Sequence, residues 1–493
     1  MKKLKGEVDC LCLIMNVMKK EICEEIFSNN MKNIALIDSS GEAVSYYELM
    51  CSSIEMANKL EKNNCSKRVI LYAGNTIEFV IGLLGIWLSG RTAVLSDIKV
   101  KRKEIEKIYQ ECESDTIVYS SLSDDTCLIA HNNLYPIRIS WKQEWTTRPY
   151  NKIAMFFQTS GTTDYAKYVM LSMKGICEQC EENNKVNGRD KNTREIIIVP
   201  VTSTCGCLGQ LVPILCSGGT AVLYKDSFNI SKIRRIIREY KVGSLVCTSS
   251  ILTLLLHSQQ TTYDDLKTVN KIVCAGEASN ISLFTFLRDK YGIPSVTQVY
   301  GLTETSGQVT GGALDTEAPD NSVGKVMRNF EIRIKEGEKI KGINELGEIQ
   351  VKGNAVMQGY FRNEELTEKS YDGEWFKTGD IGYIDEKGYL YIVGRSKNII
   401  IVSGKNVYPE EIEAILLKNS NIISAKVYSM PDSITGERIV ADLMLKNEVK
   451  ESLKNIEEFY KREMPQYMWP KKIRIVREQK ISSAGKKTRI SEE

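Results

Sequence analysis

Five short strings along the chain concentrate small, hydroxylated and charged residues. Thr159-Ser160-Gly161-Thr162-Thr163, followed by Lys167, comes directly after the apolar stretch 153–157, which reads as a strand. A loop of small and hydroxylated residues can turn backbone N–H groups and side-chain hydroxyls onto phosphate oxygens, and a nearby lysine adds positive charge. The G-x-x-x-x-G-K-[ST] spacing of a Walker loop is absent, and an ordinary Ser/Thr-rich turn is the alternative. Gln298-Val299-Tyr300-Gly301-Leu302-Thr303-Glu304 offers a ring to cover a nucleobase, a hydroxyl for a phosphate oxygen and a hard carboxylate oxygen for magnesium. Thr378-Gly379-Asp380 offers a carboxylate that can accept from both hydroxyls of a ribose. Gly394-Arg395-Ser396-Lys397 offers a guanidinium for ribose or phosphate, and Gly485-Lys486 a lysine on a glycine turn. Taken singly, each string also reads as a turn, a strand end or a surface charge.

Ordered elements must hold these strings, and the hydrophobic pattern supplies them. Residues 45–60, 76–89, 208–215 and 230–239 read as helices; 68–72, 92–95, 195–200, 220–224 and 244–248 read as strands. This alternation predicts an α/β fold with mainly parallel sheets flanked by helices. From about Glu331 the pattern changes to short strands at 331–335, 347–352, 381–384 and 389–393, separated by Gly- and Asp-containing turns. They suggest a meander or small β-barrel-like subdomain. After Gly394-Arg395 comes a smaller α+β unit: strand 398–402, helix 409–418, strands 424–429 and 440–445, and helix 451–463. Pro409 suits the first turn of its helix, and Glu410 and Glu411 complement its positive end. The expected domains are therefore 1–396 and a mobile 397–493.

Composition narrows the function classes. The 493 residues exceed what a single core organises, so two or more domains are expected. With 66 basic and 63 acidic residues the net charge is only +3, which gives no argument for nucleic acid or a membrane surface. The N-terminal run 10–15 follows Lys2, Lys3 and Lys5 but is short, carries Glu7 and Asp9 before it, and lacks a small-residue cleavage site; it reads as a first amphipathic helix. No stretch is long and apolar enough to span a bilayer. The 14 cysteines all lie at or before Cys274, and they suggest reduced thiols in the cytoplasm. Cys177 with Cys180, and Cys205 with Cys207, lack further ligands at metal-site spacing. Only His131 and His257 are present, so a His-based triad or His-rich metal site is a poor hypothesis.

The five strings occur in one order, with others between them. These are Ala275-Gly276-Glu277, the segment 353–360 ending in Gly359-Tyr360, the segment 403–413 with Ser403-Gly404-Lys405 and Pro409, and Met464-Pro465-Gln466-Tyr467. From about Ala35 to Arg489 the chain resembles the adenylate-forming superfamily of acyl-CoA synthetases, nonribosomal peptide adenylation domains and luciferases. The resemblance implies ATP-dependent activation of a small-molecule carboxylic acid, then acyl transfer to the thiol of CoA or of the phosphopantetheine arm of a separate acyl or peptidyl carrier protein. It implies that Thr159, Ser160, Gly161, Thr162, Thr163 and Lys167 form the phosphate loop. Gly276, Glu277 and Ala278 would line one side of the adenine, with Tyr300 stacked on it. Thr303 would contact the α-phosphate, Glu304 would help hold Mg2+, and Asp380 and Arg395 would bind ribose. Lys486 would reach the carboxylate and the α-phosphate, Lys397 would be the hinge, and Gly404 would line the pantetheine channel. Ser203, Thr204, Cys205, Ala275, Gln298, Gly301 and Leu302 would line the acid pocket.

Several positions depart from the family pattern. Asp164, Ala166 and Tyr168 stand where the phosphate loop usually has Gly, Pro and Gly. Lys480 and Ser482 replace the usual Pro and Thr before Gly485-Lys486. Ser203 stands where many acyl and aryl enzymes have His and amino-acid-activating domains have Asp. A buried ammonium without that carboxylate is costly, which argues against an ordinary α-amino acid. Two other readings remain: a stand-alone amino-acid adenylation enzyme with an unusual pocket, and a degenerate protein that binds a nucleotide without turnover.

Overall fold

A computed structural model describes residues 22–28, 31–120, 134–136, 153–159, 167–226, 228–257, 261–277, 281–402, 405–419, 421–432, 436–446 and 453–476. They divide into two compact units. The first takes the described residues up to Val246 together with Gly301–Gln308 and Gly353–Lys369; the second takes Cys247–Tyr300, Val309–Lys352 and the described residues from Ser370 onward.

The first unit holds β1 (Ile34–Asp38), β2 (Ala43–Ser45), β3 (Arg68–Tyr72), β4 (Thr92–Ser96), β5 (Ile117–Tyr119), β6 (Leu134–Pro136), β7 (Ile153–Thr159), β8 (Lys167–Ser172), β9 (Arg194–Ile197), β10 (Thr220–Leu223) and β11 (Ser244–Cys247). One sheet runs β11-β9-β10-β1-β2 and the other β6-β5-β3-β4-β7-β8. Pairing is parallel except where β2 and β8 return antiparallel. Parallel strands are covered on both faces, so they read as near-continuous apolar runs, and every residue of β4 and β10 is buried. Helix α1 (Tyr46–Lys62) starts at Ser45, which forms a reciprocal capping box with Glu48. Helix α2 (Ile77–Leu88) starts at Thr76, whose hydroxyl accepts from the Phe79 N–H. At Gly85 an added Cβ would stand 2.6 Å from the Met56 side chain, so the two helices cross where only glycine fits.

The expected helix 208–215 is not a regular α-helix. The chain makes one turn at Thr204–Gly206, a π-helix at Cys207–Leu211, then a short helix at Val212–Cys216. Pro213 has no N–H to give the Gly209 carbonyl, and that carbonyl accepts from Arg189 Nη2 at 3.0 Å instead.

The second unit holds β12 (Lys271–Cys274) and β13 (Ser295–Gln298), which pair in parallel. The chain then turns through β14 (Tyr300–Leu302) and β15 (Gly307–Thr310), whose span Gly301–Gln308 belongs to the first unit. An antiparallel meander follows: β16 (Glu331–Glu336), β17 (Lys339–Ile340), β18 (Gly347–Lys352), β19 (Tyr371–Asp372), β20 (Trp375–Ile384) and β21 (Leu390–Arg395). Strands at β16, β18, β20 and β21 were expected, β17 and β19 were not, and β20 is ten residues long rather than four. Gln350 pairs with Lys377 and Glu348 with Ile381, so Thr378-Gly379-Asp380 bulges opposite Ile349 alone and breaks the alternation.

The C-terminal part of this unit contains β22 (Ile400–Val402), β23 (Lys405–Val407), β24 (Ile422–Asp432), β25 (Gly436–Leu445) and β26 (Lys472–Ile475). A strand from Asn398 was expected; instead Ser396–Asn398 forms a 3-10 turn and the strand begins at Ile400. Helix α3 (Pro409–Leu416) packs Ile412 and Leu416 into a core with Ile456 and Tyr460. Among the described residues no helix is long and apolar enough to cross a membrane.

Candidate active site

In the first unit, β7 and β8 flank the residues expected to cradle phosphate. Thr159 ends β7 and pairs with Lys167, which begins β8, so the two stand opposite each other. The loop residues Ser160, Gly161, Thr162 and Thr163, and with them Asp164 and Ala166, lie outside the described residues. On its other side β8 bonds the segment 358–361: Gln358 donates to Met170, Met170 to Gly359, and Phe361 to Tyr168, all through the backbone. This brings the Tyr360 ring under the Lys167 ammonium, 5.7 Å from nitrogen to centroid. The Tyr360 hydroxyl donates to Glu304 Oε1 at 2.9 Å. One ring thus holds a cation on its face and a carboxylate at its tip.

Glu304 sits on a tightly specified turn. Its backbone carbonyl accepts from Met357 N–H at 2.7 Å. Thr305 Oγ1 accepts from the Leu302 N–H and donates to the Gly307 carbonyl, and Ser306 adopts a left-handed φ of 54°. At Gly301 an added Cβ would lie 2.0 Å from the Gly307 carbonyl oxygen, so the Tyr300-Gly301 step admits no side chain there. Thr303 is half-buried, and its hydroxyl is 3.0 Å from Thr204 Oγ1. Thr204 therefore contacts an expected phosphate-binding residue. Ser203 caps the following turn: its hydroxyl donates to Pro200 O at 2.7 Å and accepts from Gly206 N–H at 3.2 Å. Cys205, Gly301 and Leu302 are half-buried.

Tyr168, unusual by its family position, has a clear structural place. It is 4% exposed within a cluster that includes Tyr72, Ile108 and Phe156, and its hydroxyl donates to Glu111 at 2.7 Å. Burial and the neighbouring Glu111 push its phenol pKa far up, so it remains a donor. The residue after Lys167 is thus a core anchor for β8.

The second unit carries the other expected groups. Asp380 on β20 is paired in register with Arg395 on β21. Arg395 Nε lies 2.7 Å from Asp380 Oδ1, and the Tyr300 hydroxyl donates to Oδ2 at 2.7 Å. Burial raises the Asp380 carboxyl above its ordinary value, against the downward pull of Arg395 and Tyr300. Burial and the Asp380 charge raise the Tyr300 phenol well above its ordinary value, so it stays a donor to Asp380. Arg395 Nη2 also donates to Oδ2 at 3.4 Å, so three of the carboxylate's roughly four acceptor sites are engaged.

Gly276 is exposed with φ +84°, and Ala275 is half-buried. Glu277 is committed to a cap, accepting from Ser250 N–H at 2.5 Å. Gln298 Nε2 approaches the Glu277 carbonyl at 3.5 Å. Lys397 is exposed in the 3-10 turn after β21. Gly394 abuts Tyr408 and Glu410, where an added Cβ would come within 2.8 Å of the Glu410 carboxylate. Asn398 Nδ2 donates to Glu410 Oε1 at 3.0 Å. Ala278, Gly404 and Lys486 lie outside the described residues.

The structure thus joins Tyr300, Asp380 and Arg395 in one cluster and Lys167 and Glu304 in another. Sequence reasoning missed Tyr360, which links the latter two; its Gly359-Tyr360 string was the available signal.

Residues 23–361 match the family model described as AMP-binding enzyme, and residues 411–486 match AMP-binding enzyme C-terminal domain. The chain is 31% identical over 342 residues to 2-succinylbenzoate–CoA ligase of Bacillus pumilus (strain SAFR-032), covering 68% of each protein. It is 27% identical over 467 residues to the 2-succinylbenzoate–CoA ligase of Bacillus subtilis (strain 168), covering 90% of this chain and 91% of that one. The structure of o-succinylbenzoate CoA synthetase from Bacillus subtilis with its acyl-adenylate intermediate aligns at a TM-score of 0.82. That alignment covers 96% of this chain and 97% of the other at 24% identity, and it bears on the fold.

Proposed function

The chain belongs to the AMP-binding enzyme family, and on that premise we propose that it activates a carboxylic acid with ATP and then passes the acyl group to a pantetheine thiol. The observation that carries this reading is the Lys167–Tyr360–Glu304 chain. It sets a cation on the face and a hard carboxylate at the hydroxyl of one ring, with Lys167 following a string of small hydroxylated residues in sequence, which suits a triphosphate with a divalent ion.

The acid's carboxylate attacks the α-phosphorus, the bond to pyrophosphate breaks, and an acyl-adenylate remains. Two anions must meet, so the protein supplies Lys167 along the phosphates, Thr303 at the α-phosphate and Lys486 between the reactants. Positioning and electrostatics do most of this work. Glu304 fits a magnesium ion: Tyr360 engages its Oε1, Oε2 accepts no hydrogen bond among the described residues, and magnesium commonly takes one or two carboxylates together with substrate phosphates. When bound, the ion neutralises phosphate charge. Asp380 and Arg395 hold the ribose.

In the second step a thiol attacks the anhydride carbonyl, AMP leaves, and the thiol proton is released. We assign the hinge to Lys397, with 1–396 and 397–493 as the moving parts. Rotation there releases the Gly394–Tyr408 contact, withdraws Lys486 and brings in the Gly404 segment. CoA is the first acceptor to test, since the relatives are named CoA ligases; a separate acyl or peptidyl carrier protein is the alternative. Lys405 over the Tyr467 ring, with exposed Lys471 and Lys472, offers charge for a CoA phosphate. The free thiols suit a cytoplasmic enzyme.

The acid is an aryl or acyl acid, not an ordinary α-amino acid. Ser203 spends its hydroxyl on the backbone and offers no charge to an ammonium. Pyrophosphate exchange with a panel of aryl, fatty and amino acids tests this. Exchange with an aryl or acyl acid supports the reading; exchange confined to α-amino acids, or none at all, contradicts it. We expect Asp164→Gly to change the KM for ATP little; a fall of about tenfold, roughly 1.4 kcal/mol of binding, contradicts that expectation.

A further inference from the structure

The turn that carries Thr303 and Glu304 ends at Gln308, and Gln308 is gripped by a ladder of buried amides. Helix α4 (Met173–Asn187) is capped by Ser172 at its start and by left-handed Gly188 at its end. Gln179, Asn183 and Asn187 lie four residues apart on one face and are 0%, 0% and 3% exposed. Gln179 Nε2 donates to the Gln308 backbone carbonyl at 2.5 Å. Asn183 and Asn187 donate to its side-chain oxygen at 2.8 and 3.1 Å.

The polarity of this ladder is fixed from behind. Arg189 Nη1 donates to Asn183 Oδ1, and a guanidinium has only donors. Asn183 must therefore present its oxygen to Arg189 and its N–H2 to Gln308. Arg189 is itself locked by Glu195, with Nε at 3.0 Å and Nη2 at 3.1 Å from the two carboxylate oxygens. Both side chains are almost wholly buried, and Ser244 Oγ donates to Glu195 at 2.9 Å. Fully satisfied buried networks of this kind rigidify what they touch.

We infer that Asn183 and Gln308 are positioning residues for adenylation: the Glu195–Arg189–Asn183–Gln308 relay holds the 301–308 turn so that Thr303 and Glu304 meet the nucleotide. This rests on the functional reading above for what the turn does, but not for how it is held.

The test uses the full chain with Asn183→Asp, which keeps volume and the contact to Arg189 but loses the donor to Gln308, and with Gln308→Leu. Two readouts are taken: amide hydrogen exchange of the 301–308 segment, and the two half-reactions assayed separately. Both variants are expected to lose protection in 301–308 while the β3–β4 strands keep theirs. Pyrophosphate exchange falls about 10- to 100-fold, as for misplacement by about 1 Å, while thiolysis of supplied acyl-adenylate falls much less. Unchanged protection in 301–308, loss of protection across the whole unit, or equal losses in both half-reactions overturns the inference. If the wild-type chain exchanges pyrophosphate with no acid, the functional reading fails, and hydrogen exchange still decides the positioning role.

Discussion

Lys486→Ala abolishes acid-dependent pyrophosphate exchange, with a loss of at least about 10²–10³-fold, while the protein stays folded. The size follows from the chemistry. A carboxylate must approach a triphosphate, and a donor aimed at charge developing in a transition state is commonly worth about 3–4 kcal/mol. The family resemblance implies that Lys486 contacts both reactants. Thiolysis of supplied acyl-adenylate is expected to be largely spared, because the proposed rotation withdraws the lysine in that step. Circular dichroism and the melting temperature check the fold; near-normal exchange refutes the assigned role.

Asp380→Asn separates binding from stability. The carboxylate is 3% exposed, and burial raises its folded-state pKa above the unfolded value. A raised carboxyl pKa means that the charged form is disfavoured in the folded protein. Its contribution to stability is fully present below the unfolded pKa and is lost as pH rises through the folded pKa. Ionisation of Asp380 is therefore a cost to the fold. Neutralising it leaves Arg395, whose side chain is 40% exposed and remains hydrated. We expect the melting temperature at neutral pH to hold or rise. Hydrogen bonds to a charged acceptor are worth about 1.5–3 kcal/mol, so kcat/KM for ATP falls roughly 10- to 150-fold. A melting temperature that falls by many degrees with ATP kinetics intact reverses the account, making Asp380 structural.

The chemistry of this chain was more legible than its geometry. Asp380 and Arg395 are readable as separate strings because a carboxylate and a guanidinium carry their chemistry in their type. Their pairing is not, because the bulge at Thr378-Gly379-Asp380 hides the length and register of β20. Tyr300 reads as a ring to cover a base; its hydroxyl, which secures Asp380, is visible only once β20 and β21 are in place. The parallel strands were readable because burial on both faces demands apolar runs. The π-helix at Cys207–Leu211 was not, since its apolar content suits an ordinary helix and the disturbance at Pro213 is answered by a distant residue, Arg189. The amide ladder on α4 looks like a solvated face in sequence, because buried and exposed amides have the same letters. Tyr168 looked like a fault in the phosphate loop and is a core anchor below it.

The central claim is that the acid's own oxygen becomes bonded to the α-phosphorus. Incubating the enzyme with ATP, magnesium, thiol acceptor and a substrate acid labelled with 18O in its carboxylate tests this most directly by mass spectrometry. The account predicts one labelled oxygen in the AMP released by thiolysis and none in pyrophosphate. Label in orthophosphate or pyrophosphate, or turnover that leaves AMP unlabelled, contradicts it.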